Sequence, residues 1–307
     1  MRSLLLLLVG LCLPLFAQAE YSRTYLESHP LQMAKVGELD IAYRIVAPGP
    51  DKPKAVVIMG LGGSNVAWGD ALISGLADGG YEILLLDNRD TGASTRFDEW
   101  GQPVLWWELL KYQFGFSVNA PYTLNDMGAD IAGLMDVTGY SNAHIIGASM
   151  GGMIAQVVAA QYPEKTRSLI SIMSTTNAPH LPPPTDEAEM NLRNLATGEA
   201  QNEREQTIRD RGFYPESMQR HLMAIFKTGD RSEEVATITA PTLVLHGADD
   251  GLVPPEHGEH TASLIAGSRF LLIEGMAHNM PEDVIPILVS EMTAHMDRAE
   301  GRPVAAR

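Results

Sequence analysis

The chain has 307 residues, 45% of them hydrophobic, which suits one large α/β domain carrying an insertion better than two independent domains. Its formal net charge is −16, from 38 acidic and 22 basic residues, so its surface repels nucleic acid and anionic membranes, and neither is expected as a partner. The single cysteine, Cys12, excludes a thiol nucleophile and any cysteine-based zinc or iron–sulfur site from the body of the chain.

The N-terminus reads as a targeting segment. Met1-Arg2 is a short basic start, Leu4 to Phe16 is an apolar run, and Ala17-Gln18-Ala19 supplies small residues for cleavage. The pattern predicts a signal peptide over residues 1–19 and an exported protein, periplasmic or secreted. The run is short for a membrane span, and Leu11 is too bulky for a lipid-attachment box at Cys12, so no stable membrane anchor is expected. The mature chain then has no disulfide and depends on its core alone.

Next come elements of an α/β rhythm. Residues 33–46 predict a hairpin turning at Gly37-Glu38. Ala55 to Met59 is a continuous apolar run of the kind found in parallel strands buried on both faces, and Gly60-Leu61-Gly62-Gly63-Ser64 ends it in a tight loop. A helix over 71–77, a strand over 82–86 and an amphipathic helix over 125–137 lead to a strand over 143–147. Further strands are predicted over 167–173, 242–246 and 270–273. Strands alternating with helices imply a mainly parallel sheet with right-handed crossovers.

Two stretches break the rhythm. Residues 176–235 open with Pro182-Pro183-Pro184 and continue as charged helical segments over 186–195, 203–211 and 217–226. So long a connection predicts a helical cap. The implied organisation is core over 20–175, cap over 176–235 and core again over 236–307. The second stretch, 97–122, holds Trp100, Trp106, Trp107, Tyr112, Phe114 and Phe116 in a chain only 7% aromatic. It reads either as the roof of an apolar substrate pocket, with Trp106 and Trp107 lining it, or as packing under the cap.

The most informative run is His144 to Met153. Gly147, Ser149 and Gly151 spell G-x-S-x-G between a strand pattern and a small-residue helix, the context in which this motif puts a serine hydroxyl in the open on a sharp turn. The helix N-terminus favours negative charge beside that serine. A serine hydroxyl needs a histidine to take its proton and a carboxylate to orient that histidine. Two later stretches follow strands and can supply them: His246-Gly247-Ala248-Asp249-Asp250 and Gly275-Met276-Ala277-His278. Two other runs have blander readings. Arg89 to Ser94 reads as a buried turn supporting the sheet edge. Glu256-His257-Gly258-Glu259-His260 hints at a metal but lacks the H-E-x-x-H spacing and opens a surface helix, so no metal is expected. No phosphate loop or dinucleotide fingerprint is present, and no cofactor is expected.

These motifs together resemble the α/β-hydrolase family over essentially the whole mature chain. The similarity rests on Gly60–Gly63, Asp87–Ser94, the Gly147–Gly152 elbow, Asp250-Gly251-Leu252-Val253-Pro254 and Gly275–His278. It looks closest to cap-bearing bacterial serine esterases that include polyketide (anthracycline) methyl esterases. The resemblance implies Ser149 as nucleophile, His278 as base and Asp250, in its Asp-x-x-Val-Pro frame, as the orienting acid, with Asp249 the alternative. It further implies an oxyanion hole of two backbone N–H groups, from Leu61 and Met150, although Met59 stands where many relatives have histidine. The expected function is hydrolysis of a carboxylic ester of a small or medium apolar substrate through an acyl-enzyme. A proline iminopeptidase-like aminopeptidase, a carbon–carbon bond hydrolase or a perhydrolase would use the same three residues. An aminopeptidase would want cap carboxylates such as Glu187, Glu189, Glu203 and Glu205 near its pocket. A dehalogenase would need a carboxylate at position 149. A non-catalytic binding protein on this fold often lacks one of the three residues, and this chain has them all.

Overall fold

The computed structural model describes residues 22–197 and 202–304. The predicted signal peptide lies outside the described residues.

A short helix α1 (Thr24–Glu27) precedes the hairpin β1 (Gln32–Val36) and β2 (Leu39–Val46). The strands pair antiparallel from Gln32↔Tyr43 to Val36↔Leu39, with Gly37 in the turn at φ +57. The alternating segment 39–44 expected from the sequence therefore lies in a sheet whose first edge is β1. Five apolar strands complete the parallel part with β4: β3 (Lys54–Ile58), β4 (Glu82–Leu86), β5 (Ala143–Ala148), β6 (Thr166–Ile172), β7 (Thr242–Gly247) and β8 (Arg269–Ile273). The eight strands run in the order β1-β2-β4-β3-β5-β6-β7-β8, antiparallel as far as the β2–β4 pair and parallel from β4 onward.

Helices cover both faces because alternate residues of each buried strand point to opposite sides. On β5, Ile145 joins one core with Ile131 and Leu134 of α4 (Leu124–Thr138) and Ile154 and Val158 of α5 (Met150–Gln161). The next residue, Ile146, joins the other core with Leu72 and Leu76 of α2 (Asp70–Asp78) and Leu288 and Met292 of α11 (Ile285–Ala299). Helix α4 is capped at both ends. Thr123 and Asp126 form a capping box at its start, and Gly139, at φ 77, ends it.

The parallel strands point their C-terminal ends the same way, so the loops after β3, β4, β5, β6, β7 and β8 gather along one rim, where α/β sheets place ligands. Helix α3 (Leu105–Gln113) sits in the aromatic stretch, α6 (Asp186–Thr197), α7 (Asn202–Asp210), α8 (Pro215–Thr228) and α9 (Ser232–Val235) lie between β6 and β7, and α10 (Glu256–Leu264) follows β7.

One expectation is corrected. The Arg89–Ser94 turn does not support a sheet edge, because it follows β4, which lies inside the sheet between β2 and β3. Its buried Asp90 instead ties the segment between β6 and β7 to the turn after β4. Arg220 of α8 donates from Nε to one Asp90 oxygen at 2.6 Å and from Nη2 to the other at 2.8 Å, and Tyr122 OH donates at 2.8 Å. Arg89 itself forks onto Asp130 of α4 at 2.6 and 2.7 Å. These are bidentate, charge-assisted pairs, the strong class of hydrogen bond.

Candidate active site

The serine sits where strand β5 turns into helix α5. Ser149 has φ 55 and ψ −124, a conformation that a non-glycine residue holds only when its surroundings over-determine it. Those surroundings are visible. Its N–H donates to Ile172 O at 2.9 Å, and its carbonyl accepts from Ser174 Oγ at 2.8 Å. A Cβ on Gly147 would lie 2.1 Å from Gly151 O, and one on Gly151 would lie 2.0 Å from Ile58 O. Only glycine lets strand, turn and helix approach this closely.

His278, in the loop after β8, faces the serine. Its Nε2 is 3.0 Å from Ser149 Oγ, and its Nδ1 is 2.8 Å from Asp250 Oδ2. A carboxylate only accepts, so Nδ1 carries the proton and Nε2 presents its lone pair to the serine hydroxyl. Asp250 follows β7 and is buried, and its other oxygen accepts from Leu252 N at 3.0 Å and Val253 N at 2.9 Å. Asp249, the alternative acid, is exposed, and its backbone N–H is spent on Met276 O. It is the side chain of the buried Asp250 that meets the ring.

A second histidine leans on the same carboxylate. His246 Nε2 donates to Val253 O at 2.7 Å and lies 3.5 Å from Asp250 Oδ2. Burial works to raise the Asp250 pKa. The hydrogen bonds from His246, His278 and the Val253 N–H outweigh it, and hold the carboxyl well below the usual carboxylate range. The Asp250 carboxyl is therefore ionised throughout the neutral range.

The Gly60–Gly63 turn after β3 abuts this corner. A Cβ on Gly60 would lie 2.9 Å from Ala148 O, 3.0 Å from Ser149 Cβ and 3.4 Å from Met150 N. Met150 is the first residue of α5, where backbone N–H groups have no partner within the helix. The residues around Leu61 and Met150 thus meet beside the Ser149 side chain. Met59 is buried, and its carbonyl accepts from Asn88 Nδ2 at 2.8 Å.

Trp106 and Trp107 stack edge to face with ring centroids 5.8 Å apart and are 68% and 48% exposed. From that helix it is Tyr112 that reaches inward. Its ring lies 4.7 Å from Phe226 of α8, and its hydroxyl accepts from Asn177 Nδ2 at 3.2 Å. The histidines of the Glu256–His260 run are spent on separate partners, His257 on Thr175 Oγ1 and Pro182 O, and His260 on Ser232 Oγ. Among the described residues no group of three His, Cys, Asp or Glu is arranged to hold a metal ion. The sequence offered no sign of His221, which is buried in α8 and meets the Gly60–Gly63 turn. A lone histidine on an amphipathic helix has no pattern of its own.

A model of the alpha/beta hydrolase fold family matches residues 56–213, just over half of the chain. The chain is 25% identical over 311 residues to the rhodomycin D methylesterase DauP of Streptomyces sp. (strain C5), covering 87% of this chain and 98% of that one. Among solved structures it is similar to a hydrolase from Pseudomonas aeruginosa PA01, with a TM-score of 0.63 and 22% identity over 88% of this chain and 98% of that one. It is also similar to the enol-lactonase from Burkholderia xenovorans LB400, with a TM-score of 0.65 and 18% identity over 86% and 99%. The fold, the strand order and the family match agree: this chain belongs to the α/β-hydrolase family and is a hydrolase of that fold.

Proposed function

We propose that the chain is a serine esterase that cleaves a carboxylic ester of a small or medium apolar substrate through an acyl-enzyme. The observation that carries this reading is the position of His278 between Ser149 Oγ at 3.0 Å and Asp250 Oδ2 at 2.8 Å. In the first half-reaction Ser149 Oγ attacks the acyl carbon while His278 Nε2 takes the hydroxyl proton. The carbonyl oxygen becomes negative and is stabilised by the N–H groups of Leu61 and Met150. His278 then delivers the proton to the leaving alkoxide, and the C–O bond breaks. A water molecule repeats the sequence on the acyl-enzyme and releases the acid and Ser149. Asp250 keeps the ring in the tautomer that accepts at Nε2 and stabilises the imidazolium that forms.

The rhodomycin D methylesterase relative supports an ester as the substrate. An aminopeptidase, a carbon–carbon bond hydrolase or a perhydrolase would use the same three side chains. Of the cap carboxylates an aminopeptidase would want, Glu187 and Glu189 are exposed, which gives that reading no added support. The predicted cleavage after Ala19 would set the reaction outside the cytoplasm.

The test is a panel of p-nitrophenyl esters of increasing acyl length run beside aminoacyl anilides, with fluorophosphonate labelling of the wild type and of Ser149→Ala. Ester turnover, with labelling and at least ~10³-fold of kcat lost in Ser149→Ala while the thermal melt is kept, supports the reading. Near-native turnover in Ser149→Ala sinks it.

A further inference from the structure

The Gly60–Gly63 turn is held almost entirely by the segment between β6 and β7. Tyr214 N donates to Gly62 O at 2.8 Å, Ser64 N donates to Gly212 O at 2.9 Å, and Gly63 and Phe213 form an antiparallel bridge. Gly63 N closes the turn onto Gly60 O at 3.0 Å. In a trans peptide the C=O and N–H of one plane point in opposite directions, so the Gly60 carbonyl facing into the turn sends the Leu61 N–H outward. The next plane carries the Gly62 N–H, which donates to His221 Nδ1 at 3.1 Å. His221 Nε2 donates in turn to Arg89 O at 3.2 Å. An acceptor at Nδ1 and a donor at Nε2 define one neutral tautomer. Both ring nitrogens of a fully buried histidine are thus satisfied by backbone, one end on the turn after β3 and the other on the turn after β4.

We propose that His221 is a positioning residue for the oxyanion hole, holding from α8 the peptide that follows Leu61 and, through it, the closed Gly60–Gly63 turn whose Gly60–Gly63 bond directs the Leu61 N–H outward. This rests on the serine-hydrolase reading above. The cap then has a part in the chemical step as well as in covering the site. Its neighbour Arg220, locked onto Asp90, sets the register of α8 and places the imidazole between the two turns. Burial brings the His221 pKa down to about 4, so Nδ1 stays an acceptor through the neutral range. A donor aimed at the oxyanion does its work only in the transition state, so misorienting it lowers kcat without weakening substrate binding.

The experiment compares His221→Asn, His221→Gln and His221→Leu. Asn offers an acceptor where Nδ1 stood, Gln reaches toward Arg89 O, and Leu offers neither. Each is measured for kcat and KM on p-nitrophenyl butyrate, for its thermal melt, and for inhibition by an aryl trifluoromethyl ketone, whose adduct puts a negative oxygen in the hole. The expected result is a kcat about 10- to 100-fold lower in the Leu and Gln variants, short of the ~10²–10³ for losing a donor outright. KM should stay within about twofold, and ketone affinity should fall by the same factor as kcat. His221→Asn should stay within about threefold of wild type, because it keeps the Gly62 bond. Equal losses in Asn and Gln, a Leu variant that folds with unchanged kcat, or a loss confined to KM would each overturn the proposal. If the Leu variant does not fold, the Asn and Gln pair decides. Ser149→Ala run alongside separates the two claims: an active Ser149→Ala defeats the serine-hydrolase reading, whereas an inactive one with flat His221 variants defeats only the positioning role.

Discussion

Replacing Asp250 by Asn tests the site more sharply than removing the serine, because the change conserves shape and alters only what one atom can do. Asp250 has two jobs on two oxygens. Oδ1 accepts from the N–H groups of Leu252 and Val253, and Oδ2 accepts from His278 Nδ1. An asparagine has one acceptor and one donor end. Two backbone N–H groups hold the acceptor end, so the amide NH2 turns to His278. Nδ1 must then accept, the ring proton moves to Nε2, and Nε2 faces the Ser149 hydroxyl with a hydrogen where it needs a lone pair. The variant also loses the anion that stabilises the imidazolium. An acid in this role is worth ~10⁴ in rate, or about 5 kcal/mol on the barrier. The assay is kcat on a p-nitrophenyl ester at pH 7.5 with the rate of fluorophosphonate labelling beside it, and both should fall together. Asp249→Asn is the control. That side chain is exposed, and the kcat should stay within about threefold, as for a surface substitution away from the site. Equal losses in the two variants, or a larger loss for Asp249→Asn, would refute the geometry argued here.

Three further outcomes are expected. Asp90→Ala should lower stability by about 3–5 kcal/mol, on the order of 10 °C in Tm, because it leaves the buried Arg220 guanidinium without its main partner; a melt within 2 °C of wild type would count against the pair as the tie between α8 and the turn after β4. Trp106→Ala and Trp107→Ala should leave kcat/KM across a series of soluble esters within about twofold, since both rings are largely exposed; a changed chain-length profile would show that they line the pocket. Burial lowers the pKa of His144 to about 3 and of His221 and His295 to about 4, below the value of about 6.5 in the unfolded chain. The folded state therefore binds fewer protons in that window. The stability these groups confer is complete above about pH 6.5 and is lost as pH falls toward 4, at about 1.4 kcal/mol per pH unit for each histidine. Urea midpoints at pH 7, 6 and 5 measure it, and a flat midpoint would refute it.

What the chain order alone determined is local. The hairpin turn at Gly37-Glu38, the amphipathic helix over 125–137, the buried strands and the glycines of the Ser149 elbow are visible because each depends on neighbours a few residues away, through the two-residue period of a strand, the 3.6-residue period of a helix or the steric demands of one turn. Ser149, Asp250 and His278 could be named from motifs carried by resemblance to a family, since residues 129 apart in sequence have no local pattern that joins them. The choice between Asp249 and Asp250 is likewise geometric: both follow the same strand, and only the packing of the β7 and β8 loops decides which carboxylate meets the imidazole. Tertiary structure also decided the roles that no motif marks. Asp90 reads in sequence as part of a supporting turn and proves to be the seat of an arginine 130 residues away, and His221, an isolated histidine on a helix, lands on Gly62 across 159 residues. Trp106 and Trp107, which read in sequence as a pocket roof or as packing, are 68% and 48% exposed, a degree of exposure that only the tertiary structure fixes. Sequence periodicity reports which face of an element is apolar, but which partner covers that face, and which polar group finds another, is settled only when distant elements pack and every buried donor must find its acceptor.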